Sequence, residues 1–255
     1  MNFVNSLKSE WLKTRRSAAS WLCLAGGLFM PFIFLTGLLV KHRTLNDYGI
    51  TETAWKTFTL QQWELMSVLL LPLGIVLAGT LMTQVEYKNN TWKQLHTTPQ
   101  TYSTIFFAKL AAIVFMTVLF FILFQLGIIL SGFIPSLVFK KTLPGQPLPW
   151  RFFWNINRHM FIGCLPVIAL QFLLSLQLKN FIIPVGIGIM MVIASVILVK
   201  TTAYAWLCPY TYTILFLSGD ANKLAKVNLD LISTAYFILI SIAAYVLYKS
   251  RKEKG

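Results

Sequence analysis

The residues that could do covalent or metal chemistry in this chain are few and far apart. Its 255 residues include three cysteines, three histidines and eight carboxylates. Cys23, Cys164 and Cys208 lie in or beside apolar runs with no C-x-x-C pair, so neither a zinc knuckle nor a thioredoxin-like motif is available. They read as small residues facing lipid or core. His42, His96 and His159 are equally scattered, which supports neither a bis-histidine haem nor a histidine-bound metal. No G-x-S-x-G, H-E-x-x-H or P-loop occurs, so intramembrane hydrolysis and self-contained ATP hydrolysis both lack their residues. A lipid-modifying enzyme would have to work with carboxylates such as Asp220 and Asp230, which no motif pairs. The expectation is a chain with no catalytic, cofactor or metal site of its own.

The remaining chemistry is recognition. In the segment 83–103, Asn89, Asn90 and Thr91 offer a helix N-cap, 92–96 makes a short helix, and Thr97, Thr98 and Pro99 stop it. Thr101 or Ser103 then caps the next helix, and Lys109, about two turns in, can snorkel back to the surface. Glu86 can pair with Lys109 or cap the short helix. An exposed Trp92 and Leu95 would make a docking knob for a soluble protein, or the segment is a solvated turn. Near the N-terminus, Phe3, Val4, Leu7 and Trp11 fall within a narrow arc at helical spacing, while Asn5, Ser9, Glu10 and Lys13 face elsewhere. Such a basic amphipathic helix lies in the membrane interface, either as an anchor or as an elbow that transmits force. Gln125, Gln171 and Gln177 supply polarity inside apolar runs, as helix–helix glue or as ligands on a translocation path.

The elements that must position these residues follow from composition. Apolar residues make up 56% and charged residues 12%, with a mean hydropathy of +0.67. A soluble domain carries roughly 25% charged residues, so most of this surface faces lipid. The chain is expected to be all-α: one transmembrane domain, 1–255, with an interfacial helix over 1–20 and spans over about 21–40, 63–82, 105–130, 160–178, 180–199 and 229–248. Strands are excluded because barrel segments are shorter and alternate. Pro31, Pro72, Pro166 and Pro184 are tolerable kinks in packed membrane helices. The third run exceeds one crossing, so it tilts or ends near Ser131 and Gly132. The first run is too long for the h-region of a signal peptide, and Arg15-Arg16 reads as an anchor for its cytoplasmic end.

The net charge of +14 gathers at the termini and at the ends of apolar runs, a headgroup pattern rather than a nucleic-acid face. Basic residues flank both termini, which places both in the cytoplasm by the positive-inside tendency. Of the external connections, 139–159 looks like an ordered cap. Within 200–228, Tyr204, Trp206, Pro209, Tyr210 and Tyr212 form either a re-entrant hairpin or a headgroup belt. No ionisable residue lies near the middle of a span, whereas ion-driven carriers keep such groups there. A membrane protein so equipped borrows its energy from an ATPase partner.

Three features carry a resemblance: the segment F-V-N-S-L-K-S-E-W-L-K-T-R-R before the first span, the loop pattern Glu86, Asn90-Thr91, Leu95, Pro99 and Lys109, and the six-helix layout with a semi-apolar connection between the last two spans. In these the chain resembles the permease subunits of ABC-2 type transporters, particularly small bacterial permeases of lantibiotic and peptide-antibiotic immunity. Asn89-Asn90 stands where the family usually has a glycine in the turn. The resemblance implies an ATP-driven exporter of an amphipathic peptide or lipid-like substrate in the bacterial cytoplasmic (inner) membrane. It implies as partners a separate ATP-binding subunit, which holds ATP and Mg, a second permease (self or sister) and membrane lipids, with no nucleic acid. It assigns ATPase docking to Glu86, Tyr87, Lys88, Asn90, Thr91, Trp92, Gln94 and Leu95, together with Phe3, Leu7 and Trp11, and an external connection to the 204–217 segment. The rival is a structural or signalling membrane subunit that transports nothing.

Overall fold

The computed structural model describes residues 3–15, 17–48, 54–88, 101–141, 147–178, 180–202, 204–218 and 228–250. Among them the regular elements are all helical. An N-terminal helix α1 (Phe3–Thr14) precedes α2 (Ala18–Val40). Next, α3 (Ala54–Leu65) runs through a π-helical turn, Met66–Leu70, into α4 (Leu71–Lys88). Then come α5 (Tyr102–Val138), α6 (Trp150–Gln177) and α7 (Ile182–Thr201). Two 3-10 turns lead into the short α8 (Tyr212–Ser218), and α9 (Leu229–Ser250) closes the described chain.

Six helical stretches are long and apolar enough to cross a bilayer: Ala18–Val40, Ala54–Gln84, Tyr102–Val138, Trp150–Gln177, Ile182–Thr201 and Leu229–Ser250. The chain is a multi-pass membrane protein. Its bundle is built on α4, α5 and α6, with α2 against α5, α9 against α6, and α7 against α4. In the apolar window of α6, 61% of residues are buried, against 22% in α7 and 17% in α9, so α6 is central and the last two are peripheral. Ile189, Met190 and Ile193 of α7 and Leu239 and Ile242 of α9 point outward. A continuous apolar exterior of this kind is stable only against hydrocarbon.

Local chemistry explains the irregularities. Pro72 has no N–H for the carbonyl four residues back, and its ring crowds that carbonyl; the wider π turn just before it relieves both. Pro31 is accommodated by a glycine opposite: a Cβ on Gly127 would lie 2.8 Å from Pro31 Cγ, so α2 and α5 meet there only because Gly127 has none. Helix α5 passes through Ser131 and Gly132 without a break, and its 37 residues exceed what one perpendicular crossing needs. The capping segment expected over 139–159 is in part the start of a span, since α6 is already helical from Trp150, with Phe153 and Met160 buried at helical spacing. The connection after α7 is tucked into the bundle: Tyr210 and Tyr212 are buried, Trp206 is half-buried, and Tyr204 stays exposed.

Two groups of ties define the ends of the bundle. The start of α5 meets the end of α9 where the Ser103 and Tyr245 hydroxyls share a hydrogen bond of 2.5 Å. Nearby, Gln84 Nε2 of α4 donates to Leu178 O at 2.7 Å, just past α6. This end also carries α1 and is called the terminal end below. At the opposite, far end, Lys141 meets Asp47 and His159 meets Asp230.

Candidate functional site

Helix α1 is attached to the bundle by charge. Ser6, Glu10 and Thr14 recur every four residues, so they share one face, and that face is buried against α5. Glu10 Oε2 lies 2.9 Å from Lys109 Nζ, and Glu10 Oε1 lies 2.6 Å from Lys13 Nζ. The Lys109 and Glu10 side chains are only 3% and 9% exposed, whereas Lys13, at 34%, is the wet end of the cluster. Burial works to raise the Glu10 carboxyl, but the charges of Lys109 and Lys13 and their hydrogen bonds outweigh it and hold it below the ordinary carboxylate value. Beside the pair, Trp11 meets the Phe115 ring edge-on with centroids 5.0 Å apart.

This corrects two expectations. Glu10, placed outside the apolar arc among the residues that face elsewhere, is buried against α5 together with Ser6 and Thr14. Lys109 does not snorkel to the surface; an ammonium so deep is held by a carboxylate instead. The arc itself is divided: Phe3 and Val4 are exposed, while Leu7 and Trp11 pack on the core. Only the spacing of Ser6, Glu10 and Thr14, read together with a lone lysine in an apolar helix, signalled the contact.

The expected docking residues Asn90, Thr91, Trp92, Gln94 and Leu95 lie outside the described residues. Glu86, Tyr87 and Lys88 belong to the last turn of α4. The expected pairing of the Glu86 side chain with Lys109 also falls outside what is described.

The three glutamines are not brought together. Gln171 is fully buried at a junction of helices, where its Nε2 donates to Thr80 Oγ1 at 2.8 Å and to Pro184 O at 3.0 Å. Its Oε1 accepts from the Tyr210 hydroxyl at 3.4 Å. Ser175, one turn on, donates to the same Thr80 oxygen at 3.3 Å, and Gln84, one turn beyond Thr80, donates to Ser175 O at 3.2 Å. The result is a polar seam between α4 and α6. Gly188 closes it from α7, where a Cβ would lie 2.6 Å from Val76 Cγ1 and 3.0 Å from Gln171 Oε1. Gln125 accepts from Asn157 Nδ2 at 2.7 Å, and Gln177 ends α6 half-buried. Sequence reasoning missed Thr80, Gln84 and Ser175; their signal was the pairing of four-residue spacings, 80 and 84 on one helix, 171 and 175 on the other.

The far end has its own charged group. Asp230 at the start of α9 takes His159 Nδ1 at 2.9 Å and Arg158 Nη1 at 3.5 Å, all three side chains being partly exposed. Among the described residues no group of three or more histidines, cysteines and carboxylates lies close enough to hold a metal ion.

The geometry is that of a membrane bundle with a charged attachment at one end and a closed polar seam inside. The model of one family, described as ABC-2 family transporter protein, matches residues 6–195, from within α1 to within α7. No curated protein and no solved structure matches the chain.

Proposed function

Since this chain belongs to the ABC-2 family of transporter proteins, we propose that it is the permease of an ATP-driven exporter, coupled through α1 and the 86–98 segment to a separate ATP-binding subunit. The family supplies the coarser statement: the chain is a membrane component of an ABC transporter. The rest is our reading. The terminal end faces the cytoplasm of a bacterium, where the ATP-binding subunits hold ATP and Mg. Two permeases, identical or sister chains, stand side by side, and an amphipathic peptide or lipid-like molecule moves at their interface. Closure of the ATPases displaces the 86–98 segment and α1.

One observation carries this reading: α1 is held to α5 by the buried Glu10–Lys109 pair, two turns from where α5 begins. An interfacial helix that served only as an anchor would need its apolar arc and nothing else. A desolvated ion pair adds a fixed geometric link, so displacement of α1 moves α5 rather than being absorbed by lipid.

The test is co-purification of the tagged chain from its own host in mild detergent, scored for an ATP-binding subunit and for ATP hydrolysis, with Trp92→Asp and Leu95→Asp as docking variants. Recovery with the wild type and loss with both variants is expected. If no ATP-binding subunit appears while other membrane complexes survive, the transporter reading gives way to a subunit that transports nothing.

A further inference from the structure

The bundle contains a cavity of about 340 Å³ among α2, α4 and α5. It is more than twice the roughly 150 Å³ of an engineered apolar cavity that holds benzene, and falls in the range of small-molecule sites. The walls are made by residues 22–29 of α2, 70–82 of the π turn and α4, and 113–120 of α5. Within the membrane-crossing stretches Ala18–Val40, Ala54–Gln84 and Tyr102–Val138, these walls lie in the halves nearer the terminal end. At 1.5 Å per residue the α4 wall is about 18 Å long, close to the ~15 Å depth of one leaflet's hydrocarbon. Ala25 and Phe29 are exposed, so the mouth opens sideways to the bilayer.

The lining asks for no polar partner. The Cys23 thiol of α2 donates across to Met116 O of α5 at 3.4 Å, and the Thr117 hydroxyl donates to Ile113 O within α5 at 3.1 Å, so both donors are used. No lining residue has a buried side-chain polar atom without a partner among the described residues. Water needs two to four polar partners, and this almost wholly apolar lining does not supply them. A peptide backbone would lose its hydrogen bonds in such a wall. Two glycines keep the space open: a Cβ at Gly74 would meet nothing within 4 Å, and one at Gly26 would only touch the Phe120 ring at 3.5 Å.

We propose that this cavity is a binding site for a single alkyl chain, entered laterally from the leaflet at the terminal end. This deepens the transport reading and rests on it for one step only, that the chain can belong to a transported amphiphile. The same hydrocarbon chemistry is offered by the tail of a bilayer phospholipid and by the tail of a lipidated peptide. The site selects the tail and leaves the headgroup to the interface near Trp21.

The experiment needs no ATP-binding subunit, so its failure is separable from failure of the transport reading. The full chain in native membrane vesicles is loaded with a phospholipid bearing a diazirine near the end of one tail, illuminated, and the adducts are mapped by mass spectrometry. Adducts are expected to concentrate on 22–29 and 70–82 and to fall at least fivefold in Gly74→Leu, which fills the cavity. Gly186→Leu on α7, where a Cβ likewise meets nothing within 4 Å, adds the same side chain elsewhere and should leave them unchanged. A second arm adds a short peptide with a single acyl chain, or the same peptide without it. Competition by the acylated form alone assigns the site to a substrate tail; no competition by either assigns it to a bilayer lipid. The proposal is overturned if labelling is no denser in the cavity than along Ile189, Ile193 and Ile197, if Gly74→Leu leaves it unchanged, or if the peptide lacking the chain competes equally well.

Discussion

The two ends of the bundle hold helices together with the same kinds of charge, yet in opposite environments. At the terminal end Glu10 binds Lys109 where both side chains are almost wholly enclosed. At the far end Asp230 binds Arg158 and His159 with side chains 23%, 45% and 36% exposed. Water screens the second group and scarcely reaches the first. A screened pair is a weak spring, whereas an enclosed pair is costly to half-break and so behaves as a rigid joint. Contact distance alone does not separate them, since Glu10–Lys109 and Asp230–His159 both measure 2.9 Å; burial does.

The largest effect is expected where one partner of the enclosed pair is removed. Glu10→Leu takes one carboxylate from the buried Lys109 and should destabilise the detergent-solubilised protein by about 3–5 kcal/mol, read as a fall in unfolding temperature. The double variant Glu10→Leu with Lys109→Met should recover most of that loss, because no buried charge is left without its counter-ion. If the two single variants simply add, the pair is not a joint and the contrast between the ends fails.

Acid sharpens the same contrast. The folded Glu10 carboxyl sits below its ordinary value, so the folded protein binds fewer protons there than the unfolded chain does. Its contribution to stability is therefore complete above the ordinary glutamate range and is lost as pH falls through the depressed folded value. Unfolding temperature in the wild type should show no loss from this group between pH 7 and pH 5. The difference between wild type and Glu10→Leu should shrink only in more acidic solution. A difference already gone at pH 5 would mean that the carboxylate is not held by Lys109.

A neutral tie stands between these extremes. Gln171→Leu removes two donated hydrogen bonds and one accepted from a buried seam, taking one of two donors from Thr80 Oγ1, the side-chain donor from Pro184 O and the acceptor from the Tyr210 hydroxyl. A loss of about 1–3 kcal/mol is expected. An effect as large as that of Glu10→Leu would show that enclosure of a neutral network matters as much as charge.

What the sequence made legible follows from how far along the chain each signal reaches. The spans announce themselves because hydrocarbon demands some 20 apolar residues in a row, a local signal. The helical form of α1 is local too. Its orientation is not, since which face turns inward was decided by one lysine 99 positions away on α5. Against hydrocarbon and protein alike, the apolar arc of α1 has somewhere to go; among the described residues, the partner that draws Glu10 onto α5 is Lys109. The polar seam was half legible for the same reason: Gln171 stood out in an apolar run, but Thr80 and Ser175 are ordinary residues until two helices are laid together. The depth reached by Tyr210 and Tyr212 was also beyond a local signal, because an aromatic in a semi-apolar connection suits a headgroup belt and a buried turn equally.

The smallest effect should come from the far end, and it tests the comparison from the other side. Asp230→Asn keeps the size of the side chain and removes only its charge, leaving Arg158 and His159 free to turn toward water, as their partial exposure allows. The expected loss is about 1 kcal/mol or less. It should fade on raising the salt concentration from 0.1 M to 1 M, where the screening length drops from about 10 Å to about 3 Å. The Glu10→Leu loss should hold over the same range, because an enclosed pair meets few ions. Asp230 also sits in the first turn of α9, where a carboxylate favours the helix N-terminus by a few tenths of a kcal/mol, and that part should fade with salt as well. A loss above about 2 kcal/mol that ignores salt would place Asp230 in the same class as Glu10. The far end would then be a second joint, and motion entering at α1 would be transmitted across the full height of the bundle to α9.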